Sequence, residues 1–160
     1  MFVNVNTMVS VEDLIRGIIV QSGNDACIAI AEGISGSEAL FAEELNLLAK
    51  EIGMINSSFT NSTGWPDPDH LTTIQDLLTL TVRTIEDFPE LYYYYAEKEF
   101  TYSGIRQLNR NPLLFNEINA DGLKTGHTSL GGYGLVASVL KNNRRLILIL
   151  NGLKRNKDRS

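Results

Sequence analysis

The 160-residue chain is predicted to be α+β, with helices first and an antiparallel sheet last. Apolar residues recur at helical spacing through the first part, and β-rich runs fill the last third. No strand–helix–strand alternation is present, which argues against a parallel sheet. No internal repeat and no linker divides the sequence, so residues 1–160 are expected to form a single domain.

Composition excludes several classes. With 43 % hydrophobic residues and none of the apolar-poor tracts of disordered chains, an ordinary core is affordable. The longest aliphatic stretch, Leu146–Leu150, is far too short for a transmembrane helix. One cysteine rules out an internal disulfide or a CxxC metal site, and 2 histidines leave little for a metal centre. Neither a metal nor a cofactor is expected. The opening Met1-Phe2-Val3-Asn4 lacks a basic stretch followed by an apolar run, so no secretory signal peptide is read there. Either the protein stays in the cytosol or the chain is not the whole precursor. From Lys141 onward seven bases face one acid, +6, which leaves −11 for residues 1–140 and −5 in total. No aromatic residues interleave with those bases, so they read as flanks of an apolar hairpin, not as a nucleic-acid surface.

Ser10-Val11-Glu12-Asp13 starts the first helix: a hydroxyl to cap free N–H groups, then acids where the dipole favours them. Leu14, Ile15, Ile18 and Ile19 supply its apolar stripe. Gln21-Ser22-Gly23-Asn24 interrupts it. A second helix runs through Ala26, Cys27, Ile28 and Ala31 and is expected to end near Gly33. Ser37 opens a third, with Leu40, Phe41, Leu45, Leu48 and Ile52 expected inward and Gly53 as its stop. Residues 56–70 form a loop rich in Asn, Ser, Thr, Gly, Pro and Asp. Thr73-x-x-Asp76 opens the fourth helix, through Leu77, Leu78, Leu80 and Val82. After Pro89, Tyr92–Tyr95 is expected to pack against neighbouring helices. Phe100–Tyr102 and Leu123–Thr128 read as strands. Tyr133–Leu140 and Arg145–Leu150 read as a hairpin turned at Asn142-Asn143, a pair that tolerates positive φ.

Two tripeptides stand out. Ser22-Gly23-Asn24 lies between two helices, and Lys124-Thr125-Gly126 lies on a strand, followed by His127-Thr128. Singly each reads as an interhelical turn and an exposed edge strand. Together, and in this order, they match the second and third elements of the S-x-x-K, S-x-N, K-T-G set of penicillin-interacting serine enzymes. With the segments SVEDLIRGIIVQSGNDA, FTNSTGWPDPDHLTTIQD, KEFTYSGIRQLNRN and DGLKTGHTSLGGY, the sequence closely resembles the D-alanyl-D-alanine carboxypeptidases, the low-molecular-mass penicillin-binding proteins of peptidase family S11, over nearly its whole length.

The resemblance implies a β-lactamase/transpeptidase-like fold, incomplete at the N-terminus. It implies removal of the terminal D-alanine from peptidoglycan stem peptides through an acyl-enzyme, with β-lactam antibiotics entering the same path. It gives Ser22 a proton relay, Asn24 a hydrogen bond to the substrate amide and Lys124 a positive charge beside Ser22. It places Thr125, Arg110 and Arg159 at the substrate carboxylate and counts Gly126 among the substrate-binding residues. It makes the His127 N–H half of an oxyanion hole. Arg159 sits at a chain end where fraying is expected. The implied location is periplasmic or cell-envelope, with membrane association only through segments outside these residues.

The nucleophile is missing. No S-x-x-K precedes Ser22. The only literal match, Ser138-Val139-Leu140-Lys141, falls on an expected strand, where positions i and i+3 face opposite ways. The chain therefore reads as an internal piece of a catalytic domain, inactive and poorly folded or associating by itself. The alternative is a non-catalytic remnant or a weak D-Ala-D-Ala/penicillin-binding fragment. Cys27 reads as a buried core thiol. His70 reads as a loop residue, and Asp67 and Asp69 make a poor calcium loop.

Overall fold

The computed structural model describes residues 1–160. Four helices come first: α1 (Val11–Gln21), α2 (Asn24–Ser35), α3 (Glu38–Ile52) and α4 (Ile74–Asp87). A β-hairpin follows, β1 (Glu99–Tyr102) and β2 (Ile105–Leu108), and then a three-stranded antiparallel sheet in the order β3 (Ala120–Thr128), β4 (Gly132–Lys141), β5 (Arg144–Leu153). This is the expected α+β order.

The caps follow the sequence signals. Ser10 accepts from the Asp13 N–H at 3.1 Å, Ser37 from Leu40 at 3.2 Å and Thr73 from Asp76 at 3.1 Å. Gly53 closes α3 at φ 95°. Asn142 and Asn143 turn β4 into β5 with φ of 51° and 60°, a twist that suits two-residue hairpins.

Four expectations need correction. The second helix passes Gly33 and stops at Ser35, because Gly36 takes the left-handed conformation that ends it. Leu40 and Leu48 point outward, and the small Ala42 and Ala49 are buried instead, so α3 packs closely through alanines. The hairpin partner β2 was not expected. Ser103 and Gly104, at φ 48° and 77°, turn the chain back, and β2 buries neither face, so no alternation marks it. Finally, Arg159 does not fray. It is only 6 % exposed, in a 3-10 turn held by Arg155 and Asp158.

Tyr92, Tyr94 and Tyr95 pack as expected. Tyr94 and Tyr95 lie with Ile15, Ile19, Val20 and Phe100, and the Tyr92 hydroxyl reaches Asp121 at 3.4 Å. The buried apolar residues fall into three small clusters, not one: Met1, Leu14 and Ala26; Ile19, Val20 and Phe100; Leu113, Leu135 and Ala137. The first two flank α1 and hold its C-terminal end in place. The third lies under β4, next to β3.

Candidate active site

Ser22 is set by the end of α1. The helix stops at Gln21, Ser22 adopts φ 54°, ψ 46°, and the Gly23 N–H closes onto the Gly17 carbonyl at 3.1 Å. Left-handed backbone costs a residue with a Cβ about 1–2 kcal/mol. Such strain concentrates at functional sites. α2 begins at once with Asn24, which is exposed at its first turn.

Lys124 arrives from β3. Its Nζ donates to Ser22 Oγ at 2.8 Å and to the Thr125 carbonyl at 2.8 Å, so residues 102 positions apart in sequence share one hydrogen bond. β3 pairs with β4 along one edge, with Lys124 opposite Val136 and His127 opposite Tyr133. Its other edge is left to a cavity of about 900 Å³. Consecutive residues Lys124–Ser129 line that cavity, as a free strand edge would.

The cavity gathers every residue that the motifs singled out: Ser22, Asn24, Lys124, Thr125, Gly126 and His127, together with Arg110 and Arg159. Lys124, Arg110 and Arg159 line it and no carboxylate does. The protein is net acidic, yet this cavity is cationic. Burial first, then the charges of Arg110 and Arg159, push the Lys124 ammonium down to about 8. The Arg159 guanidinium lies over the Tyr133 ring at 4.9 Å, and its buried Nε has no hydrogen-bond partner. His127 stacks against the same ring at 4.0 Å. The arrangement can hold an anion beside a serine–lysine pair able to pass a proton.

Ser138 belongs elsewhere. It lies in β4, 1 % exposed, and its hydroxyl accepts from Arg145, so it is no nucleophile. Cys27 is not a core thiol. It is half-buried in the cavity wall, where burial pushes its pKa up against the downward pull of Lys124, so it stays a thiol. Asp67 accepts from the Asp69 N–H at 2.9 Å within the loop.

The sequence did not reveal the cavity's other wall. The loop between α3 and α4 supplies it, through Phe59, Asn61, Trp65 and His70 among others. His70 is thus more than a loop residue. It accepts from the Thr60 N–H at 3.2 Å and meets Phe59 edge-on at 5.5 Å. The available signal was a tryptophan within an Asn/Ser/Thr/Gly tract, where no core position calls for one.

A family model described as D-alanyl-D-alanine carboxypeptidase matches residues 1–154. D-alanyl-D-alanine carboxypeptidase DacA of Haemophilus influenzae is 47 % identical over 99 % of this chain and 41 % of its own length. The chain therefore spans about two fifths of that curated relative. Penicillin binding protein 5 of the same organism superposes with a TM-score of 0.96 at 46 % identity, covering 99 % of this chain and 47 % of that one. Penicillin-Binding Protein D2 of Listeria monocytogenes in its ampicillin-bound form gives a TM-score of 0.86 at 28 % identity, over 94 % of this chain and 63 % of that one.

Proposed function

Because the chain belongs to the D-alanyl-D-alanine carboxypeptidase family, peptidase S11, we propose that it carries the proton-relay and carboxylate-binding part of a serine-type D-Ala-D-Ala carboxypeptidase site. The observation behind this reading is the 2.8 Å contact from Lys124 to Ser22 inside a cationic cavity free of carboxylates. The substrate is a peptidoglycan stem peptide ending in D-Ala-D-Ala, and β-lactams are its competitors. The setting is the cell envelope. No helix is long and apolar enough to cross a membrane.

The residues divide the work by chemistry. Arg110, Arg159 and the Thr125 hydroxyl hold the substrate's terminal carboxylate. Asn24 donates to or accepts from the substrate's backbone amide. The His127 N–H at the free edge of β3 stabilises the oxygen that becomes negative when the carbonyl is attacked. Lys124, which burial makes readier to give up its proton than a free lysine, keeps the Ser22 hydroxyl oriented. Ser22 passes a proton to the amine of the departing D-alanine.

The attacking hydroxyl is not among these residues. The cavity's serines are Ser22, Ser62 and Ser129, and the residues three positions on are Asp25, Trp65 and Gly132, never lysine. The 160 residues should therefore not label with a fluorescent penicillin. A protein in which an S-x-x-K-bearing segment from the Haemophilus relative is joined ahead of Met1 should label. Failure of that joined protein, under conditions where the relative itself labels, would overturn the carboxypeptidase reading. The absence of an S-x-x-K motif at the cavity favours one second reading, a reversible D-Ala-D-Ala or penicillin-binding fragment. Equilibrium binding without labelling by the joined protein would select it.

A further inference from the structure

We infer that Trp65 forms an aromatic subsite that selects for an apolar or ring-bearing group on the acyl side of the ligand. This rests on the carboxypeptidase reading, since it assigns a further part of the same cavity. Trp65 is the only tryptophan in the chain, and it is 68 % exposed while lining the cavity. A large aromatic ring lining a cavity offers a face against which an apolar group of a ligand can pack.

Its position is fixed, not adventitious. Asn61 Oδ1 accepts from the N–H groups of Thr63, Gly64 and Trp65 at 3.1, 2.8 and 3.0 Å, and Asn61 Nδ2 donates to the Trp65 carbonyl at 3.0 Å. Glu38 from α3 accepts from the Ser62 N–H and hydroxyl at 3.0 and 2.6 Å. Asn46 from the same helix holds Phe59 through both its N–H and its carbonyl. A loop braced this way can present a side chain with little entropy left to lose on binding.

The cavity's charges then decide which part of the ligand meets the ring. Arg110 and Arg159 claim a terminal carboxylate, which lies on the leaving-group side of the scissile bond. The uncharged aromatic wall of Phe59 and Trp65 is left for the other side. An aromatic contact of this kind contributes about three- to tenfold in affinity.

The sole tryptophan makes the test direct. The joined S-x-x-K protein, with the serine of that motif changed to alanine so that binding stays reversible and any tryptophan of the added segment changed to phenylalanine, is titrated with benzylpenicillin and with 6-acetamidopenicillanic acid, which keeps the carboxylate and the amide but lacks the ring. Benzylpenicillin should change the Trp65 emission, and Trp65→Ala should weaken it about three- to tenfold by calorimetry. The acetamido compound should bind wild type and Trp65→Ala alike, and Trp65→Phe should retain most of the benzylpenicillin affinity. Equal weakening of both compounds, or of neither, would overturn the subsite while leaving the carboxypeptidase reading intact. If neither compound binds, the subsite is overturned, while the carboxypeptidase reading stands or falls on the labelling of the joined protein.

Discussion

Lys124 gives up its proton more readily than a free lysine, at about 8 against 10.5, chiefly because it is buried. In the unfolded chain it binds a proton up to its ordinary value. Between pH 8 and 10.5 the unfolded state therefore holds more protons, and stability rises with pH across that window. Below pH 8 the full cost remains, about 3 kcal/mol. Denaturation midpoints of wild type should climb from pH 8 to 10.5 relative to Lys124→Met, and parallel profiles would refute the assignment. Ser22 carries a different tension, a hydroxyl kept at φ 54°. Ser22→Gly should stabilise the chain by about 0.5–1 kcal/mol in urea. In the joined S-x-x-K protein the same change should cut peptide turnover by about 10²- to 10⁴-fold, the range of a lost proton-transfer group. Stabilisation without loss of turnover would remove Ser22 from the relay. The pairing of Ser22 with Lys124 was legible only through motif order, because nothing local in either segment encodes a contact across 102 positions.

The loop between α3 and α4 is held at its base by one carboxylate. Asp76, 1 % exposed, accepts from the Asn56 N–H at 2.9 Å and the Ser57 hydroxyl at 2.6 Å, and the Ser58–Leu71 bridge closes the loop just above. The Ser57 hydroxyl does most to hold the Asp76 carboxyl below its usual range. Asp76→Ala should speed hydrogen exchange across residues 56–73 while leaving α1 unchanged; uniform acceleration would mean a global effect instead. The hairpin turn offers a second check: Asn143→Val, forced to φ 60°, should cost about 1–2 kcal/mol. Helix starts and the Asn142-Asn143 turn were readable because capping and positive φ are local demands with few solutions. The aromatic wall was not, since a loop held by side-chain hydrogen bonds to α3 has no period. Likewise β2, with charged Arg106 paired to Glu99 on an exposed ribbon, shows no apolar face to detect.

As a whole, the chain buries few residues, 27 of 160, and its apolar clusters are separate. A domain of this length ordinarily buries about two thirds of its unfolded surface around a continuous core. β5 is an outer strand with Leu146 and Leu148 exposed, which invites pairing with another chain. The isolated 160 residues should sediment with concentration-dependent association and melt over a broad range; a monomer with a sharp cooperative transition would contradict this. The α+β order was plain from periodicity, but the division of the core was not, because sequence marks which residues are apolar and not which of them meet. The contrast between the cavity's charge and the molecule's has a kinetic consequence. An anion that comes within one screening length of the outer surface, about 8 Å at physiological salt, meets a body of net charge −5 and is repelled; inside the mouth it meets Lys124, Arg110 and Arg159. The outer field turns away polyanions in proportion to their charge, whereas a single carboxylate on a neutral chain crosses with little loss. Added salt should therefore speed the arrival of multiply charged ligands more than singly charged ones, so that the protein's surface acts as a filter on valence before its cavity reads any shape.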